Sequence, residues 1–245
     1  MLNSKNLNLR LVPILIIFVF AFIIRLYNIN YEDFWTDEIF AFFTSEPNID
    51  FKETLIRTLD SNFNSLFDFL LKEFHSLFGY DVYISRYFSL IISFFSLILF
   101  ALLLNRITSY PSLLFGLYIL SINIFHLRYS IEVRSYILTF LLVLFFLYLN
   151  FKDKDQNITL TRLILIIFTS VLMLLCHSFT ILILGSLSLY KIIKYYKYRE
   201  ISHNEIFLIL GLVIVSALYL FIYLPINIQY ADQLHGLSPH WIKQV

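Results

Sequence analysis

The chain has 245 residues, 59% of them apolar and only 14% charged, with a formal net charge of +1 and five each of glycine and proline. Soluble domains average about 25% charged and 45–50% apolar residues, so this composition excludes an ordinary soluble core and indicates an all-α polytopic membrane protein. A net charge this close to zero offers no bulk electrostatic case for nucleic acid, and the lone Cys176 excludes a disulfide framework and reads as a small buried hydrophobe.

The first apolar run, 11–24, follows Lys5 and Arg10. That is the layout of a signal peptide, but no A-x-A-like cleavage site follows, so an uncleaved first helix ending near Arg25 is expected. Next comes "NYEDFWTDEIF" (30–40), in which Glu32, Asp33, Asp37 and Glu38 fall among Phe34, Trp35 and Phe40. Thr36 is expected as an N-cap and 37–46 as a short interfacial helix. Asp37 and Glu38 then sit in its first turn, where the helix dipole favours carboxylates. In 63–78, Phe63, Leu66, Phe67, Leu70, Leu71, Phe74 and Phe78 recur at helical spacing, with Asp68, Lys72, Glu73 and His75 largely on the other side. This stretch reads as a helix lying in the membrane interface.

Further charge-free runs cover 87–105, 107–125, 135–151, 163–190 and 206–231. A spanning helix needs about 20 mostly apolar residues, so 163–190 is long for one pass and short for two. Charge bias arbitrates. If this run is a hairpin turning at His177, segments 1–10, 105–110, 150–162 and 191–205 share one side with ten basic and four acidic residues, leaving eight basic and thirteen acidic elsewhere. The positive-inside rule makes that side cytoplasmic. About seven transmembrane helices follow: 11–27, 83–105, 110–126, 133–151, 160–177, 178–195 and 205–225. They form a single transmembrane domain over 1–245, with 28–80 as an outer loop carrying interfacial helices. Asn157-Ile-Thr159 falls on the cytoplasmic side and is read as a chance glycosylation triplet.

This topology gathers polar groups on the outer face: Arg25, the acidic cluster, Asp60, Arg86, then His126, Arg128, Glu132, Arg134 and Tyr136 in "HLRYSIEVRSY" (126–136). His177 joins them at the next outer turn, and Asp232, His235, His240 and Trp241 in the final stretch. Arg25 and Arg86 suit two roles, as anchors at lipid headgroups or as ligands for a lipid-linked phosphate, which a planar guanidinium matches bidentately. Asp37 and Glu38 suit helix capping or base catalysis. Adjacent helical residues point about 100° apart, so the two do not act together on one atom. Trp35 suits a sugar face or the aromatic belt of the bilayer. Two other classes are a non-catalytic accessory protein or fragment and a transporter; a transporter would place ionisable groups near the bilayer midplane, and apart from the turn at His177 the spans carry none in their middles.

A first helix ending in Arg25, then "FWTDEIFA" (34–41), "FHSLFGYDVYISRYFSLI" (74–91) with Gly79, Arg86 and Ser89, "YSIEVRSYIL" (129–138) with Arg134 and Tyr136, and "CHSF" (176–179) occur in a telling order. Over about residues 10–245 the chain resembles the protein O-mannosyltransferase and aminoarabinose transferase group, glycosyltransferases of the GT-C fold. The resemblance implies an enzyme that transfers a sugar, with inversion, from a polyprenyl-phosphate donor to a hydroxyl of a lipid, glycan or protein acceptor on the extracytoplasmic face. It implies Asp37 as the base, with Glu38 as the alternative or a positioning group. Arg25, Arg86 and Arg134 would bind the donor phosphate or brace the carboxylates, and Trp35, Tyr136 and His177 would touch substrate. Crowding of acids raises their pKa values, which suits a base working near neutrality. No cofactor and no obligatory metal are expected, since no compact His/Asp ligand signature is present, although metal dependence varies within the superfamily. Membrane lipids are the other expected partners. One departure is "FNSLF" (63–67), which stands where the family carries a His-Pro-Pro-Leu-Tyr-like stretch. Family members continue with further helices, so the chain is expected to stop inside a large outer loop. Frequent Asn, Ile, Lys and Phe match an AT-rich bacterial genome, hence a bacterial plasma membrane.

Overall fold

The computed structural model describes residues 4–27, 29, 32–61, 65–151, 158–198, 203–225 and 228. Asn64, Asn157, Asp232, His235, His240 and Trp241 lie outside them. Among the described residues every regular element is helical: α1 (Ser4–Tyr27), α2 (Thr36–Thr44), α3 (Phe51–Ser61), α4 (Ser65–Phe78), α5 (Val82–Ile107), α6 (Tyr110–Ile122), α7 (Ile124–Ile131), α8 (Tyr136–Asn150), α9 (Leu160–Cys176), α10 (Thr180–Tyr198) and α11 (His203–Leu218), which runs into a π-helical turn at Tyr219–Tyr223.

Two helices are long and apolar enough to cross a bilayer, α5 and the continuous helix His203–Tyr223. The pair α6 and α7 makes a third if its 55° bend is kept within one span. Leu11–Tyr27, α8 and α9 are shorter apolar helices. The molecule is thus a helical protein with membrane-spanning character.

The bend was not expected in 110–126. It falls at Asn123, whose extended backbone ends α6 and whose side chain accepts from the His126 N–H at 3.1 Å, capping α7. A short amide side chain competes in this way with the helical ladder. The turn expected at 126–136 accordingly shrinks to 132–135, because α7 absorbs most of it. The 160–198 region is two helices meeting at 177–179.

In the first loop three helices stand where two were expected. The additional one, α3, is opened by Asp50, whose carboxylate accepts from the Glu53 N–H at 2.7 Å. Asp three residues before Glu is a capping signature legible in the sequence. Helix α4 differs from expectation in another way. Asp68, Lys72 and His75 are buried, while Leu70, Leu77 and Phe78 are exposed. The polar stripe points into the protein. Asp68 accepts from the Thr58 hydroxyl at 3.1 Å. Lys72 donates to the Ile49 carbonyl and the Thr54 hydroxyl, and His75 engages the Ser45 carbonyl and Ser85. Loop carbonyls between α2 and α3 and threonines of α3 need buried partners, and α4 supplies them.

Three apolar clusters hold the bundle. One joins α8 to α11 through Phe146, Ile166, Met173, Leu184, Leu208 and Leu212. A second ties the first loop to α5, α8 and α9 through Ala41, Phe67, Leu71, Ile92, Ile137 and Cys176. A third packs α1 on α5 and α6 through Ala21, Leu97 and Leu117. Along α5, Ser85, Ser89, Ser93 and Ser96 are fully buried. Small residues at this spacing let neighbouring helices approach closely, and they bring the start of α5 against α7.

Candidate functional site

The site is organised by the four-residue segment 132–135 between α7 and α8. Its backbone is held from three sides. Ser89 of α5 donates to the Glu132 carbonyl at 2.8 Å, the Val133 N–H donates to Glu38 Oε1 at 2.8 Å, and the Ser135 carbonyl accepts from the Thr139 hydroxyl at 2.9 Å. A short irregular segment inside a helical bundle must find such partners, because its N–H and C=O groups have no ladder to join.

Asp37 and Glu38 both meet this segment, but differently. Helix α2 begins one residue earlier than a Thr36 cap would give: Trp35 is the N-cap, Asp37 the second and Glu38 the third helical residue. With no acceptor on the Trp35 indole, the capping falls to Glu38, whose Oε2 accepts from the Trp35 backbone N–H at 3.4 Å. The Glu38 side chain is 4% exposed and lies 3.8 Å from Arg86 Nη2. Burial raises its pKa, opposed by the Val133 N–H and the Arg86 charge. The Asp37 side chain is 44% exposed and pairs with Arg134 Nη2 at 3.2 Å. Arg134 also donates to the Asp37 carbonyl at 3.3 Å. One carboxylate of the pair is therefore built into the protein and the other is presented at its surface.

The expected arginines separate in the same manner. Arg134 stays with Asp37 and lies 5.8 Å from the Tyr136 ring. Arg86 is buried, donating to the Ile29 carbonyl at 2.8 Å with its guanidinium 5.0 Å from the Phe34 ring, so it braces Glu38. Arg25 is not brought to the site. It is 1% exposed and donates to the carbonyls of Ala21 at 2.9 Å and Ser121 at 3.1 Å. Its Nη2 meets His126 Nδ1 at 2.7 Å, and His126 Nε2 meets the Ser96 hydroxyl at 2.9 Å. An arginine has only donors, so Nδ1 accepts and Nε2 carries the proton. Ser121 is among the last residues of α6 and His126 belongs to α7, so Arg25 closes the break between them. The phosphate-binding role expected of Arg25 does not fit that enclosed position.

Tyr136 and His177 lie together, ring centroids 5.6 Å apart. His177 ends α9 and its Nδ1 accepts from the Phe179 N–H at 3.3 Å. Trp35 is exposed and stands on the opposite side of α2's first turn, against α7: Arg128 lies over its ring at 5.3 Å.

Two residues at this point were absent from the expected site, Arg128 and Glu132. They sit four apart, Arg128 in α7 and Glu132 as its C-cap, a spacing visible in "HLRYSIEVRSY". The Arg128 side chain is 58% exposed, and its Nε is 3.7 Å from Glu132 Oε2. Glu132 is buried, and burial raises its pKa against the opposing charge of Arg128. Together with Glu32, Trp35, Glu38, Arg86 and Ile131 they line a recess of about 30 Å³. A larger, mostly apolar groove of about 540 Å³ passes beside Tyr136, lined also by Asn123, His126, Tyr129, Phe140 and Ile183. Among the described residues no group of three or more His, Cys, Asp or Glu side chains is arranged to hold a metal ion.

The chain matches no protein-family model, no curated protein and no solved structure.

Proposed function

We propose that this protein is an integral membrane glycosyltransferase of GT-C type. It would take a sugar from a polyprenyl-phosphate carrier and pass it to an acceptor hydroxyl on the outer face of a bacterial plasma membrane. The observation that carries this reading is the division of Asp37 from Glu38: a half-exposed carboxylate, oriented by Arg134, beside a buried one that holds the backbone around it. Support also comes from the motif order that resembles the protein O-mannosyltransferase and aminoarabinose transferase group. The seven crossings read from charge bias would bring α2, the start of α5, segment 132–135 and His177 to the outer side.

In the proposed reaction Asp37 accepts the proton of the acceptor hydroxyl. The acceptor oxygen bonds to the anomeric carbon as the bond from that carbon to the phosphate oxygen breaks, with inversion. The lipid phosphate leaves carrying the electron pair, and its developing charge is met by arginine. Arg134 and the exposed Arg128 would do this, while Arg86 serves Glu38. The apolar groove beside Tyr136 suits the isoprenoid chain, since it is lined by apolar side chains of α6, α7, α8 and α10, and Tyr136 on its wall lies 5.8 Å from Arg134.

The test is transfer from a polyprenyl-phosphate sugar by the protein in liposomes. Asp37→Asn is expected to lower turnover by about 10²-fold or more with no change in melting temperature. Retention of wild-type turnover by both Asp37→Asn and Glu38→Gln would refute the assignment. Topology is tested separately: Asp37→Cys should label from outside, and outside labelling of Asp155→Cys would overturn the seven-pass arrangement.

A further inference from the structure

The recess between α2 and α7 has a property the reaction above does not use. Glu132 is 6% exposed, yet its Oε2 has no hydrogen-bond partner. The nearest cation, Arg128 Nε, is 3.7 Å away, beyond hydrogen-bond reach. The Glu132 backbone is pinned through its carbonyl by Ser89. Glu132 thus borders a small recess with its backbone held in place and an acceptor oxygen left over. An unsatisfied buried acceptor is costly, and the cost is recovered when a donor enters.

The chemistry of that donor is narrowed by the walls. The recess of about 30 Å³ admits a single polar group, not a ring. Arg86 and Arg128 line it beside three glutamates, so neither a free cation nor an anion is strongly favoured. A neutral hydroxyl serves both: it donates to the carboxylate and accepts from a guanidinium, in charge-assisted bonds. The exposed face of Trp35 at the rim offers a flat apolar surface to whatever carries the hydroxyl. Hydroxyls on a carbon framework with an apolar face are the chemistry of a sugar.

We propose that this recess is a sugar-hydroxyl subsite, in which Glu132 Oε2 accepts from a hydroxyl of the glycosyl unit, Trp35 packs against its face and Arg128 closes the rim. The inference deepens the transferase reading and rests on it for the sugar's origin, which is either the donor lipid or a glycan acceptor. Glu132 is assigned a binding role at one hydroxyl and takes no proton from the reacting centre.

The experiment reads binding, independently of transfer. The chain has two tryptophans, so Trp241→Phe leaves Trp35 as the reporter. Its fluorescence is titrated with methyl glycosides, with a short isoprenyl phosphate lacking sugar, and with the same lipid bearing a sugar; glycerol is the control. In the parent, sugar-bearing probes are expected to shift the emission. Glu132→Gln, nearly isosteric, should weaken them by on the order of tenfold or more while leaving the bare lipid phosphate unchanged. Loss confined to the sugar-lipid identifies the donor sugar; loss confined to methyl glycosides identifies a glycan acceptor. Arg128→Gln, made at an exposed side chain, should weaken sugar binding several-fold and tests the recess if Glu132→Gln fails to fold. No sugar-dependent signal, or equal affinity in parent and both variants, overturns the proposal. Glu132-dependent sugar binding by a protein that never transfers would keep the subsite and discard the transferase reading.

Discussion

The end of the molecule around α2, α4 and segment 132–135 and the bundle of α8 to α11 are built on opposite principles. The bundle is joined mainly by an apolar cluster running from Phe146 to Leu212, beside a few polar contacts such as the Tyr219 hydroxyl donating to Ser178 at 2.6 Å and Lys191 facing Glu205 at 3.9 Å. The other end buries Arg25, Glu38, Asp68, Lys72, His75, Arg86, Glu132 and Arg134, nearly all tied to backbone carbonyls or N–H groups. The difference follows from secondary structure. Continuous helices satisfy their own backbone and need only side-chain packing, whereas loops and broken helices leave backbone groups that charged side chains must answer. Apolar packing tolerates replacement in proportion to volume. A polar brace fails all at once, because removing one member strands its partners.

That contrast can be broken in graded ways. The largest loss is expected at Glu38→Ala, which strips the Val133 N–H and the Trp35 N–H of their acceptor and leaves Arg86 buried without its carboxylate. A destabilisation of about 3–5 kcal/mol, the usual cost of breaking a buried charge pair, should appear in the melting temperature of detergent-purified protein. Asp37→Ala, at the exposed neighbour, should cost under about 1 kcal/mol. In the bundle, Leu184→Ala is expected to cost about 3 kcal/mol through the cavity it leaves, and Leu184→Met to restore most of it. If Leu184→Ala proved harmless while Glu38→Ala did not fold, the polar end alone would hold the molecule.

A smaller effect depends on pH. Asp68 is wholly buried among Thr58, Thr44 and the more distant Arg134, and burial pushes its pKa up to about 7 from an ordinary 3.8. The folded state therefore binds a proton that the unfolded chain has released over that interval. Stability contributed by Asp68 is complete below pH about 4, declines as pH rises toward 7 and is flat above. Asp68→Asn, which cannot ionise, should remove this slope, so the difference between the two melting profiles should change between pH about 4 and 7 and stay level on either side. A constant difference across the range would contradict a protonated Asp68. The smallest effect is expected at Gly211→Ala. An added Cβ would lie 2.6 Å from Ile167 Cδ1, and the shift demanded of that side-chain tip costs about 1 kcal/mol, partly offset by the better helix propensity of alanine.

Much was legible without coordinates, and its limits are physical. Apolar runs located α5, α8, α9, α10 and α11 to within a few residues, because a helix in an apolar phase declares itself by length and absence of charge. The helix break at His177 followed from the count of basic residues on the flanks of that run. The Asp37-Glu38 pair stood out as a first helical turn. By contrast, the bend at Asn123, the enclosure of Arg25 and the inward polar stripe of α4 depend on which backbone groups lack partners, and that depends on where distant segments meet. Asp37 and Glu38 are adjacent carboxylates of nearly equal chemistry, and no local signal says which is buried. Position in the chain established that the two would point apart; the Val133 N–H, 95 residues away from Glu38, decided which of them became structure and which was left facing out.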